Sequence, residues 1–317
     1  MKKILSTLFF SLLALTAQAC DYPCKPVTFV LSVAAGGPAD SLFVRPFSEF
    51  WLKETGQPMV VEYMPGAEGL IQIRRLRNTQ GDGYTMGLIR SSTSVYKPVI
   101  DTVEYDPVRD LTNIGMFVTY PSGLYVHTNS PYTSFRDLIE KSPKAGVNVG
   151  ASYHGVRILT NIMTEQEKRD VQTIIYPGDA GANNALLGQQ VDAVIGTLGG
   201  LPLQMVADGR FRVLATTGKT RNSAAPYAPT FKELGYNIEQ YTFLGVGGPP
   251  NMDPVALKKI STLLNKFMSS PEMIAKIAKD GMQTPVPNTP ESTTAFIDSQ
   301  VKMWDGYRRK HNIPKNQ

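Results

Sequence analysis

VLSVAAGGPADSLFVRPF, from Val30 to Phe47, changes character in its middle. A β-rich apolar run ends at Ala34 and Ala35, two glycines follow, and from Asp40 the apolar residues recur at helical spacing. The order is strand, glycine turn, helix start. A helix N-terminus behind glycines presents unpaired backbone N–H groups to a negative charge. The segment therefore poses a question: which anion does this turn hold?

The same alternation continues along the chain. β-rich runs are read at Val27 to Ala34, Met59 to Tyr63, Tyr84 to Ile89, Leu124 to His127, Val147 to Ala151, Val171 to Tyr176, Val191 to Ile195 and Phe211 to Thr216, with helical segments between most of them. That pattern predicts an α/β fold of mostly parallel sheets flanked by helices, with a ligand crevice beyond the carboxyl ends of the strands. In the first helix Phe43, Phe47, Phe50, Trp51 and Glu54 follow a helical stripe, with Pro46 placed to kink it. Three later helices open on Asp253-Pro254, Ser270-Pro271 and Thr289-Pro290, each a capping residue before proline. The stripe Phe296, Gln300, Val301, Trp304, Tyr307 returns the last helix to a core.

The 317 residues, 42% of them hydrophobic, suffice for two domains. Residues 1–19, MKKILSTLFFSLLALTAQA, have the lysines, short apolar run and small terminal residues of a secretory leader. Cleavage after Ala19 leaves Cys20 first, with Cys24 close behind. These are the only two cysteines, and two readings stay open: a disulfide in an oxidising compartment, or an acylated Cys20. The net charge is +5, including Lys2 and Lys3 of the leader, and the basic residues are dispersed, which excludes a nucleic-acid footprint. Two extended runs, IGMFVTYPSGLYVHT and YTFLGVGGPP, are the expected passages between domains. Residues 20–122 with 246–317 then form one lobe and 123–245 the other.

The catalytic and metal patterns fail. His127, His154 and His311 stand in unrelated contexts without an HExxH or cysteine cluster, so no metal site is expected. GASYHG puts Ser152 near a nucleophile elbow, but His154 occupies the place of a required glycine. ATTGKT has Val213 where a phosphate loop needs its first glycine. What remains is a set of strand-end turns rich in backbone donors and hydroxyls. They carry Ala35, Gly36, Gly37 and Pro38; Arg90, Ser91 and Ser92; Ser152, Tyr153, His154, Gly155 and Arg157; Tyr176, Gly178, Asp179, Ala180 and Gly181; and Thr197. Together they predict a donor-rich cleft for an anion, with no cofactor.

These turns also carry a resemblance. AAGGPAD, QPMVVEYMPGAEG, GDGYTM, YDPVRDLTNIG, VNVGAS, YPGDAGANNALLGQQVDAVIG, GRFRVLATTGKTRNSAAPYAPTFKELGY and GGPPNMDP, in this order, resemble the periplasmic solute receptors of tripartite tricarboxylate transporters, the Bug receptors. The resemblance implies a two-lobed Venus flytrap of the periplasmic binding protein type, type II-like, closing on a small carboxylate, di- or aromatic. It implies a ligand carboxyl group held by loop amides at Gly36 and Gly37, with Asp40 capping the following helix. It further implies a periplasmic monomer that delivers its ligand to membrane transporter subunits, or presents it to a sensor kinase. A hydrolase using Ser152 and His154 on the same scaffold is the enzymatic alternative. The chain departs from the family at Arg90, at Tyr153 to Arg157 and at Gly196, where an acid is common. Arg90 and Arg157 near one cleft would favour a second anionic group on the ligand.

Overall fold

The computed structural model describes residues 21–316 apart from 34, 144, 145, 154, 177 and 280. The leader, Cys20 and His154 lie outside the described residues. Cys24 is disulfide-bonded.

Nine strands among the described residues form one mixed sheet: β1 (Val27–Leu31), β2 (Met59–Tyr63), β3 (Thr85–Arg90), β4 (Thr112–His127), β5 (Val147–Ala151), β6 (Val171–Ile175), β7 (Ala193–Thr197), β8 (Phe211–Thr216) and β9 (Tyr241–Gly248). The path is β2-β1-β3-β9-β4-β7-β5-β6, with β8 also on β4. The helices are α1 (Arg45–Thr55), α2 (Leu70–Arg77), α3 (Lys97–Ile100), α4 (Phe135–Lys141), α5 (Val156–Glu167), α6 (Gly178–Leu187), α7 (Leu201–Ala207), α8 (Pro254–Met268), α9 (Pro271–Lys279) and α10 (Pro290–Lys310).

Parallel pairing holds at both ends of the sheet, β1 with β2 and β3, and β5 with β6 and β7. The middle is antiparallel because the two extended passages are strands that pair with each other. The first part of β4 runs against β9 from Thr112↔Gly248 to Pro121↔Tyr241. From Ser122 onward β4 turns to β7 and β8 instead. One strand thus leaves one half of the sheet at Pro121 and enters the other at Ser122. The first strand is shorter than its apolar run suggests, since its ladder stops at Leu31↔Tyr63.

Pro46 is absorbed without breaking the helix. Residues Asp40–Val44 form a π-helical turn, and the Arg45 amide bonds back to the carbonyl of Asp40, five residues earlier. The wider turn relieves the clash that proline imposes on a preceding α-helical carbonyl. The same device recurs after β3, where Ser92–Tyr96 is π-helical, the Lys97 amide reaches the Ser92 carbonyl, and Pro98 is the second residue of α3. The three Pro-led C-terminal helices begin as read. Asp253 accepts from the Val255 and Ala256 amides, Ser270 Oγ accepts from Met273, and Thr289 forms a capping box with Ser292.

One core packs α1, α8 and α9 on β1, β3, β4 and β9 around Phe29, Phe47, Trp51 and Phe117. A second runs from Ile89, Val95 and Tyr96 through Leu124, Val149 and Leu159 to Ile297 and Trp304 of α10. A third lies under α6 and α7 around Tyr125, Leu186 and Phe211. Because α10 belongs to the second core, the C-terminal helix ties the two halves of the sheet together. Its Tyr307 hydroxyl donates to the Asn237 carbonyl, and His311 Nδ1 lies 2.6 Å from Glu165 Oε1 on α5.

Candidate functional site

The glycine turn that opens the fold holds an anion of its own. Gly36 takes φ +78°, a conformation glycine adopts without Cβ strain. Its amide donates to Asp40 Oδ2 at 2.7 Å. The same oxygen accepts from Arg45 Nε at 2.9 Å and from the Tyr63 hydroxyl at 3.1 Å. Asp40 therefore does not cap the following helix; it reaches backward and fastens the turn. Its side chain is fully buried, which by itself raises the pKa, yet the Gly36, Tyr63 and Arg45 hydrogen bonds outweigh burial and hold the carboxyl below the usual value. Ala35, Gly36 and Pro38 lie exposed beside it and Gly37 half-buried.

A cavity of about 530 Å³ lies where the carboxyl end of β3 faces those of β5 and β6. From the first side come Arg90, Ser92, Tyr96 and Lys97, with Glu68 from the turn before α2; from the other come Ser152, Tyr153, Tyr176 and Gly178. Of the residues expected from the sequence, the structure brings Arg90, Ser92, Ser152, Tyr153, Tyr176 and Gly178 to one wall or the other. Ser91 is not among them: it is fully buried, and its Oγ accepts from the Phe243 amide at 2.7 Å, which ties β3 to β9. Arg157 is exposed on the first turn of α5 and does not line the cavity. Asp179, Ala180 and Gly181 form the first turn of α6 just behind it, where Asp179 accepts from Ser152 Oγ. Thr197 is half-buried at the end of β7 opposite Ser122 of β4, and Gly155 packs under the Tyr96 ring. At Gly196 a Cβ would lie 3.1 Å from the Tyr125 hydroxyl, so a side chain there needs that hydroxyl to shift by a few tenths of an ångström.

Arg90 is the chemical centre of the cleft. Its Nη2 donates to the Glu68 carbonyl at 3.2 Å, its buried Nε has no partner, and no carboxylate lies within ion-pair distance. Burial lowers its pKa from the ordinary value, while Tyr120 and Glu68 pull the other way. Lys97 is the opposite case. Burial works against its charge, but Asp101 Oδ2 at 2.8 Å and Glu68 Oε2 at 3.0 Å more than compensate and raise its pKa.

Residues from the passages between the halves complete the floor, and they carry no turn signal in the sequence. The rings of Tyr96 and Tyr153 stack, and buried Gln240 donates from Nε2 to both hydroxyls. Tyr153 also bonds to Ser122 Oγ at 3.0 Å, and Thr217 Oγ1 joins Ser122 to the Gln240 carbonyl. Burial pushes the Tyr153 phenol up to about 12, so the stack is neutral at physiological pH. A larger trough of about 820 Å³ between residues 102–110 and α10 has its charges already matched: Asp106 by Arg109, Asp110 by Arg77, Asp298 by Lys302 and Glu104 by Arg74. Among the described residues no cluster of His, Cys, Asp or Glu suits a metal ion, and no helix is long and apolar enough to cross a membrane.

Residues 44–313 match the family model for the tripartite tricarboxylate transporter family receptor. The chain is similar to the UPF0065 protein in the gbd 5' region of Cupriavidus necator, 32% identical over 309 residues that cover 95% of this chain and 92% of that one. Among solved structures, the periplasmic binding protein BugD aligns with a TM-score of 0.78 and 25% identity over 93% of this chain and 100% of its own. An R. palustris protein solved with adipate aligns with a TM-score of 0.80 and 22% identity, again over 93% of this chain and 100% of its own.

Proposed function

As this chain belongs to the tripartite tricarboxylate transporter receptor family, we propose that it is a periplasmic solute-binding protein that captures a small organic carboxylate by lobe closure and delivers it to a membrane transporter. The lobes are residues 20–122 with 246–317, and residues 123–245, and the cavity at Arg90 lies between them. The passages β4 and β9 are the hinge. They form the one ladder common to both halves, so bending at Pro121 and Ser122 moves the walls of the cleft relative to each other.

One observation carries this reading. A guanidinium with a buried, unpartnered Nε and, among the described residues, no carboxylate in ion-pair contact stands at the cavity, a costly arrangement that a ligand carboxylate repairs with charge-assisted hydrogen bonds. Ser92 supplies a hydroxyl donor, its Oγ buried without a partner, whereas the Ser152 proton on the facing wall is held by Asp179. The R. palustris protein of the same fold was solved with adipate, which supports carboxylate capture by this architecture.

The test is a thermal-shift screen of mono- and dicarboxylic acids with the wild type and Arg90→Gln. A ligand at about 100 times its Kd stabilises the folded state by roughly 2.7 kcal/mol. The stabilisation is expected to vanish in the variant. Stabilisation by an acid that persists undiminished in Arg90→Gln refutes the site.

A further inference from the structure

The cavity wall carries four side chains of formal charge, the cations Arg90 and Lys97 and the carboxylates Glu68 and Asp101. Lys97 sits between the other two carboxylates, 3.0 Å from Glu68 and 2.8 Å from Asp101. The wall is thus formally neutral, and among the described residues Arg90 is its cation that makes no ion pair. The second arginine that sequence reasoning placed here, Arg157, is exposed and off the wall. The wall also carries Ile100, Ile175, Tyr176 and the stacked Tyr96 and Tyr153. The hydroxyls of that stack are engaged by Gln240 and Ser122.

Resting on the cleft reading above, we infer that this receptor selects a monocarboxylate with an apolar, ring-sized body over a dicarboxylate. One carboxylate meets Arg90 with Ser92, whose Oγ has no other partner. The rest of the ligand lies against Tyr153, Tyr176 and Ile175, where aromatic packing and apolar burial favour a ring. A second carboxylate meets no further unpaired cation on the wall, since Lys97 is already held by Glu68 and Asp101, and the hydroxyls of Tyr96 and Tyr153 are engaged. Desolvating an unpaired carboxylate there costs more than the ring contacts return.

The experiment is calorimetry of the protein with 4-methylbenzoate and terephthalate, which share a ring and differ in one methyl or carboxylate, and with propionate and adipate. The wild type is expected to bind 4-methylbenzoate at least about tenfold more tightly than terephthalate, adipate or propionate, because the first two expose a second charge and the last lacks the ring. Arg90→Gln is expected to lose at least about tenfold for 4-methylbenzoate, and Arg157→Gln to bind it as the wild type does. Terephthalate or adipate binding as tightly as 4-methylbenzoate, with Arg90 still required, overturns the selectivity and leaves the cleft in place. Propionate matching 4-methylbenzoate removes the ring requirement and overturns it equally. Acid binding that is indifferent to Arg90→Gln, or no binding of any of the four up to about 10 mM, overturns the cleft reading as well.

Discussion

The ring of Tyr96 stacks on that of Tyr153 with centroids 4.7 Å apart and planes 19° from parallel. Tyr96 ends the π-helical turn after β3, whereas Tyr153 lies in the loop after β5, so the stack joins the two halves of the sheet at the floor of the cleft. On its other side Tyr96 meets Trp304 edge-on at 5.7 Å, and Gly155 packs against the ring. The ring has no free direction in which to move.

That confinement predicts the effect of Gly155→Ala. The backbone at Gly155 is right-handed, with φ −58°, so alanine meets no backbone strain. Its Cβ, however, would lie 2.6 Å from a ring carbon of Tyr96. Overpacking of this kind costs about 1–3 kcal/mol. Denaturant unfolding should show that loss, together with weaker ligand binding as the stack is displaced. A variant as stable as the wild type would show that the two tyrosines do not hold the halves in contact.

Asp40 predicts a pH dependence. Its folded pKa is depressed below the usual 3.8, so as pH falls the unfolded chain takes up the proton first. The stabilising contribution is therefore complete above that usual value and disappears as pH drops through the folded one. Asp40→Ala should cost about 1–3 kcal/mol at neutral pH, with the gap to wild type closing below about pH 4. A gap that stays constant to the lowest pH at which both fold would mean that the carboxylate contributes nothing through its charge.

Two glycines with positive φ separate backbone strain from site geometry. At Gly69, with φ +98°, a Cβ would lie 2.8 Å from Thr93 Cγ2 and 3.3 Å from Arg90 Nη2. At Gly36, with φ +78°, it would meet nothing within 4 Å. Both Gly→Ala changes should cost about 1–3 kcal/mol of stability through the strained backbone. Only Gly69→Ala should also weaken carboxylate binding, since it pushes on the guanidinium. Equal affinities for the two variants would detach Arg90 from the ligand.

Much of this was legible in the sequence for a physical reason. Strands such as Val147–Ala151 and Phe211–Thr216 are β-rich runs closed by turn residues, and Arg90, Ser92, Ser152 and Tyr176 follow from the rule that such turns face a ligand. β9 was readable only as a passage because its segment, YTFLGVGG, carries three glycines. Those glycines mark close approach: a Cβ at Gly245 would lie 2.6 Å from the Gly115 carbonyl, and one at Gly247 would lie 2.5 Å from Ile89 Cγ2. Tyr96 and Lys97 were hidden behind a π turn that brings the start of the helix to the cavity, and Pro98 was the available signal. Gln240 and Ser122 gave no signal, since their roles depend on a long-range pairing that no local pattern encodes.

Asn288 is the strongest case of such a long-range role. The register of β4 against β9 shifts between Asn113 and Gly115 and again between Met116 and Val118, so Met116, opposite Gly245, lies between two irregularities. Asn288 engages its main chain with the side-chain amide. Oδ1 accepts from the Met116 amide at 2.8 Å, and Nδ2 donates to the Met116 carbonyl at 2.9 Å. The Asn288 carbonyl is itself held by Asn265 Nδ2 at 2.7 Å, so α8 fixes the residue that holds β4. Asn288→Ala strands one buried donor and one buried acceptor, each costing about 1–3 kcal/mol, and should destabilise the fold by roughly 2–5 kcal/mol. Asn288→Asp keeps the acceptor but loses the donor, and at neutral pH sets a buried carboxylate against the Met116 carbonyl, so it should be no better than alanine. Urea unfolding of the two variants decides the matter: an aspartate variant close to wild type would mean that the Met116 carbonyl does not depend on Asn288.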